Sequence, residues 1–259
     1  MTVHESDAAD TEFEEVIGAA EQASFTGWDF SGFVGRYEES APSWDYRTLV
    51  CDSLRSVNAV LDLGTGGGEF LASLAPLPPY AAATESYAPN VPVARETLVP
   101  LGVDVREAPD DASLPFDTAR FDLVLNRHES YAPLEVRRLL RPGGTFVTQQ
   151  VGGLDLQDLN VALDAPANSY ADWDLAAATA GLAGAGFEIS QQHEEFPPAS
   201  FSDIGTLVHF LRVVSWQVPD FTVDRYRARL HTLHAQMRSG QHLTVRQHRF
   251  LIVARSPIS

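Results

Sequence analysis

The stretch "AVLDLGTGGGEF", residues 59–70, decides how the rest of the chain is read. It begins as an apolar run, Ala59, Val60 and Leu61, of the length expected for a strand buried on both faces. Gly64, Gly66, Gly67 and Gly68 then let the backbone turn sharply and approach a ligand closely, before Glu69 opens a helix. Strand, glycine loop and helix in that order make the ligand end of a parallel α/β sheet, a logic that dinucleotide and phosphate sites share. Asp62 stands just before the first glycine. A carboxylate there suits a ligand bearing a positive amine better than one bearing a pyrophosphate.

Outward from the loop, strand and helix patterns alternate. Strands are expected at 59–63, 80–84, 103–106, 121–125, 145–151, 187–191 and 249–255, and helices at 47–56, 69–74, 91–98, 134–140 and 174–183. Such alternation with short links predicts a doubly wound, Rossmann-like, mostly parallel seven-stranded sheet with helices on both faces. Two elaborations are expected. Phe25, Trp28, Phe30, Phe33, Tyr37, Trp44 and Tyr46 form an aromatic N-terminal helical segment, a flap over the site or a strap on the core. A helical insertion precedes the last strand: Phe201, Ile204, Leu207, Val208 and Leu211 share one helical face, and Tyr226, Leu230, Leu233 and Met237 another, with Thr222 as an N-cap. The expected division is a flexible acidic tail at 1–24, the flap and core at 25–195, a substrate lid at 196–245, and the last strand with the C-terminus at 246–259.

Composition narrows the function. The 259 residues, 44% hydrophobic and 20% charged, suit one ordinary core with additions. A net charge of -17 and the absence of lysine argue against a nucleic-acid substrate, because phosphate backbones are gripped by basic patches. Cys51 is the one cysteine, which excludes an intramolecular disulfide and a thiolate zinc cluster and fits a reducing, cytoplasmic location. No apolar run approaches the roughly 20 residues of a membrane span, and the acidic N-terminus lacks the basic and apolar regions of a signal peptide. His209, His231 and His234 have no carboxylate motif beside them and are read as ordinary surface or packing residues, so no metal is expected. A monomer or homodimer acting on a small-molecule substrate is the expectation.

"VLDLGTGGGEFL", "ATES", "DDASLPF", "FDLVLNRH" and "LEVRRLLRPGGTFVTQQV" follow one another in an order and spacing that resembles the class I S-adenosylmethionine-dependent methyltransferases. The chain looks most like their small-molecule group, the type 11 methyltransferase domain, over residues 47–151. The resemblance implies S-adenosyl-L-methionine as cofactor. It implies Asp62, Gly64 and Gly66 around the methionine moiety, with Thr65 in the same loop, and Glu85 on the ribose hydroxyls. Ser86 or Tyr87 would flank the adenine, Asp110 would meet its amine, and Asp111 and Ala112 would contribute backbone there. Asn126 and Arg127 would lie near the methionine and the reacting methyl group.

The run after the fourth strand, "NRHESYAP", is polar where packing alone would not place polar residues. His128 is the natural base for a hydroxyl acceptor, or else a residue that caps the strand without titrating. Glu129 and Tyr131 could position substrate or cap the following helix. The Asp/Asn-Pro-Pro-aromatic motif of DNA amino-methyltransferases is absent. Methyl transfer to a small-molecule oxygen, nitrogen or carbon is therefore the leading reading. Its alternatives are an RNA or protein methyltransferase, and a protein that binds the cofactor without transferring methyl.

Overall fold

The apolar run at 59–63 is a strand with every residue buried, and the elements around it follow the alternating pattern. The structure, a computed structural model, describes residues 3–24 and 31–258; Phe25, Trp28 and Phe30 of the aromatic segment lie outside the described residues. In chain order the elements are α1 (Val3–Gln22), β1 (Tyr37–Glu39), α2 (Tyr46–Leu54), β2 (Ala59–Leu63), α3 (Glu69–Ala72), β3 (Tyr80–Glu85), α4 (Asn90–Leu98), β4 (Asp104–Glu107) and β5 (Phe121–Arg127). There follow α5 (Pro133–Leu139), β6 (Leu140–Val151), α6 (Gln157–Leu163), α7 (Leu175–Gly184), β7 (Glu188–Glu195), β8 (Pro198–Phe201), α8 (Ile204–Val213), α9 (Val223–Arg238), β9 (Leu243–Arg246) and β10 (Arg249–Arg255). They divide into two compact units, each assembled from three pieces of chain.

The α/β unit comprises Pro42–Gly152, Asp172–Glu195 and the chain from Arg249 on. Its seven-stranded sheet has the order β4-β3-β2-β5-β6-β10-β7. β2 pairs in parallel with both β3 and β5, and β10 alone runs antiparallel, between β6 and β7. Leu123, Val124 and Leu125 of β5 alternate between two apolar layers, so both faces of the sheet are covered. This is the doubly wound, mostly parallel sheet expected from the alternation. The chain leaves β2 toward β3 on one side and returns to β5 on the other. The carboxyl ends of β2 and β5 thus flank the switch point where open sheets of this kind bind ligands.

The helical unit comprises the chain up to Ala41, Gly153–Ala171 and Phe196–His248. It has its own core, with Phe13, Ile17, Phe201, Leu207, Leu211 and Leu230 all but inaccessible to solvent, and its own antiparallel sheet in the order β1-β8-β9. α8 and α9 are the two expected insertion helices, capped by Asp203 on Thr206 N (2.8 Å) and by Thr222 on Arg225 N (3.3 Å).

Two expectations differ from the structure. Within the tail expected to be flexible at 1–24, Val3–Gln22 form α1, because Phe13, Val16, Ile17 and Ala20 fall at i, i+3, i+4 and i+7 and pack into the helical unit's core. The boundaries of the insertion also move. The helical unit takes in the N-terminus and α6, and the aromatic segment supplies strand β1 and the start of α2.

Candidate functional site

The glycine loop is shaped by its neighbours. Gly64 has φ +64°, and a Cβ built there would lie 2.3 Å from Cγ of Glu129. Gly68 has φ +87°, and a Cβ there would lie 2.6 Å from Cγ of Leu98. Both positions exclude a side chain twice over, by backbone conformation and by space. Thr65 ties the loop down, donating its N–H to Thr84 O (2.9 Å) and its hydroxyl to Asp62 Oδ2 (2.8 Å).

Two buried carboxylates stand behind the loop. Glu85, 3% exposed, accepts from Gly66 N (2.6 Å) and Tyr87 N (2.8 Å), so the end of β3 and the glycine loop share one side chain. Asp62, 5% exposed, has its pKa pushed up to about 6. Burial is the main cause and Glu85 adds to it, while Thr65 and the positive charge of Arg127 oppose it. The Arg127 guanidinium lies 4.3 Å from the centre of the Phe70 ring, which in turn packs on Tyr46.

The exit of β5 is pinned from below. Asn126 is fully buried, its Oδ1 accepting from Thr148 Oγ1 (2.9 Å) and Gln150 Nε2 (2.5 Å). The Gln150 amide also reaches Glu129 O (3.0 Å), and Ser130 Oγ donates to Asp111 Oδ2 (2.5 Å). Glu135 accepts from Leu114 N (2.6 Å) and pairs with Arg138, which holds the loop after β4 against α5. The side chains of Thr148 and Gln150 are polar yet buried within their strand. That anomaly was the available signal for this network, which the sequence reading missed.

His128 takes a left-handed backbone conformation, φ +65°, beyond the strand end. The indole N–H of Trp44 donates to Gln149 Oε1 (2.7 Å), which leaves the Gln149 Nε2 to donate to His128 Nε2 (3.0 Å). That ring nitrogen therefore acts as an acceptor. Part of the ring faces solvent, yet crowding by surrounding protein, together with Arg249 and Arg127, pushes its pKa down to about 3. The imidazole is neutral at physiological pH and its unprotonated nitrogen is already engaged.

Leu63, Gly64, Thr84, Ser86, Ala108, Asp111, Leu114, Glu129, Ser130, Tyr131, Ala132 and Val136 line one cleft at this edge of the sheet. Ser86 and Asp111 face it, whereas the Asp110 carboxylate turns back to cap Ala112 N (2.9 Å). Burial, Asp111 and Glu85 raise the pKa of Glu129. These acids suit a ligand that carries positive charge, and Ala108, Leu114, Ala132 and Val136 suit a flat apolar ring. The residues present therefore fit a cationic nucleoside. Among the described residues no group of three or more His, Cys, Asp or Glu side chains is placed to hold a metal, and no helix is long and apolar enough to cross a membrane.

Sheet order and glycine loop together define a Rossmann-like α/β fold with a cleft at its switch point. Residues 61–148 match the family model described as a methyltransferase domain. The chain therefore carries a methyltransferase domain over these residues. No curated protein matches the chain. Among solved structures, a protein from Bacillus halodurans provisionally assigned as a methyltransferase is similar at 19% identity and a TM-score of 0.58, over 82% of this chain and 97% of its own. The YcgJ protein of Bacillus subtilis is similar at 19% identity and 0.56, over 82% and 97%. The [4+2]-cyclase SpnF is similar at 17% and 0.54, over 97% of this chain and 93% of its own. At these identities the likeness is one of fold.

Proposed function

We propose that this enzyme transfers the methyl group of S-adenosylmethionine to a small, partly apolar or aromatic organic acceptor by in-line displacement. The observation that carries the reading is the acid-lined cleft at the switch point, where Glu85 joins the glycine loop to the end of β3. In this reading Glu85 holds the ribose hydroxyls, Ser86 and Asp111 stand at the adenine, and Asp62, Gly64, Thr65 and Gly66 surround the methionine portion. Asp111 takes the place that the sequence offered first to Asp110, because Asp111 lines the cleft while the Asp110 carboxylate turns back to cap Ala112.

The cofactor supplies an electrophilic methyl carbon on a sulfonium. An acceptor's lone pair would bond to that carbon as the carbon–sulfur bond broke, its electrons leaving with sulfur. The protein's work is then to hold the two reactants in line and to keep water out. The pinned strand exit suits that work, since Asn126, Thr148 and Gln150 fix the backbone of Glu129 and Ser130. His128 serves as a positioning residue in this account. Its accepting nitrogen is occupied and its pKa is far below neutrality, so it is a weak proton acceptor.

Two features support a small acceptor over RNA. The net charge is -17, and many arginines are paired with acids, among them Arg106 with Asp104, Arg141 with Asp122 and Arg246 with Asp158. We assign acceptor selection to the helical unit. Two of its pieces are inserted in the chain after β6 and after β7. The neighbour named as a [4+2]-cyclase covers nearly the whole chain, this unit included. Incubation of the full chain with methyl-labelled cofactor and a panel of phenols, amines and carboxylates tests the assignment. Label in an organic product is expected, and label in RNA or protein alone would overturn it.

A further inference from the structure

Tyr131 stands where the pinned strand exit meets the cleft. Its ring packs edge-on against Phe146, 4.9 Å between centroids, and against Trp173 at 6.2 Å. Its hydroxyl is buried and has no hydrogen-bond partner. A buried hydroxyl left without a partner loses its bonds to water and gains none, so such atoms are rare in folded chains and call for an explanation. Burial also holds the phenol well above its usual pKa, so it stays a neutral O–H that can donate.

The surroundings indicate what completes it. Tyr131 lines the same cleft as Ser86 and Asp111, on the side walled by Leu114, Ala132 and Val136. The acids Glu85 and Asp62 belong to the glycine-loop side. The apolar wall fits a flat base, and the acids fit the charged end of the same ligand. The backbone before Tyr131 is held by Gln150 on Glu129 O and by Ser130 on Asp111, so the phenol is delivered in a fixed position.

We propose that Tyr131 is a cofactor-binding residue, its hydroxyl making a hydrogen bond to the adenosine end of S-adenosylmethionine. The inference rests on the cofactor site argued above. It moves Tyr131 from the acceptor side of the reaction, where the sequence pattern put it, to the cofactor side.

The test is Tyr131→Phe in the full chain, which keeps the ring and its packing. Calorimetric titration uses S-adenosylmethionine, S-adenosylhomocysteine and 5′-methylthioadenosine, and thermal melting is followed without ligand. The three ligands share adenosine, so all three should weaken by about tenfold, the worth of one well-made hydrogen bond. The unliganded melting temperature should stay level or rise, because an unpaired polar atom is removed. Unchanged affinity for all three would overturn the proposal, as would a lower melting temperature with unchanged affinity, which would show the hydroxyl already satisfied inside the protein. A raised acceptor KM with cofactor affinity intact would return Tyr131 to the acceptor side and also overturn it. If the unmutated chain bound none of the three ligands, the cofactor site itself would be misplaced, an outcome distinct from the others.

Discussion

The two units of this molecule differ in the polar groups they bury: the α/β unit buries the carboxylates Asp62 and Glu85, the helical unit the amides Asn160 and Gln217. In the α/β unit, charged and amide side chains are buried at one sheet edge. Asp62, Glu85 and Asn126 are each 5% exposed or less, and they hold loops rather than one another's charge. In the helical unit, the ion pairs Arg227 with Glu14, Arg229 with Asp164 and Arg238 with Glu12 lie on the surface, where such pairs contribute little. Its stability comes from Phe13, Leu207 and their apolar neighbours. The difference teaches where chemistry is to be sought. Buried acids beside a cleft mark where a ligand is to be sought, whereas exposed pairs say little about it.

That contrast can be broken by experiment. Phe13→Ala removes a large buried ring and should lower stability by about 3–5 kcal/mol, read by denaturant unfolding. Cofactor affinity of the folded fraction should stay within about threefold, and a loss beyond tenfold would tie α1 to the cofactor site. Gly64→Ala places a side chain against Glu129 on a left-handed backbone and should cost about 1–3 kcal/mol in cofactor binding. Near-native affinity in that variant would show that the loop does not approach the ligand.

The third prediction concerns pH. The raised pKa of Asp62, about 6 against an ordinary 3.8, means that the protonated acid is favoured in the folded chain without ligand. This contribution to stability is complete below pH 3.8 and is lost as pH rises through about 6. A cationic cofactor favours the carboxylate, so its affinity should rise severalfold between about pH 5 and 7. The Asp62→Asn variant should lose that rise, and an identical pH profile in both would remove Asp62 from the methionine end.

The α/β unit was legible because its signals are local. A buried strand ending in Asp62 and four nearby glycines declares itself within a dozen residues, and the alternation around it follows from strands covered on both faces. The acids beside the loop could be singled out for the same reason, whereas the cap of Asp110 on Ala112 and the bond of Ser130 to Asp111 are revealed only by coordinates. The helical unit was harder to read because its core joins distant pieces of chain. Phe13 meets Leu207 and Leu230 across nearly two hundred residues, and an acidic, alanine-rich stretch gave few signs of that. The accepting role of His128 Nε2 was illegible as well, since it depends on Trp44 fixing the Gln149 amide from far away in sequence.

The most direct measurement is a crystal structure of the full chain with S-adenosylhomocysteine. The account predicts the ribose hydroxyls on Glu85, the base against Ala132 and Val136 beside Asp111, and the sulfur directed toward the exit of β5. Density for the ligand elsewhere, or an empty cleft at saturating ligand, would contradict it.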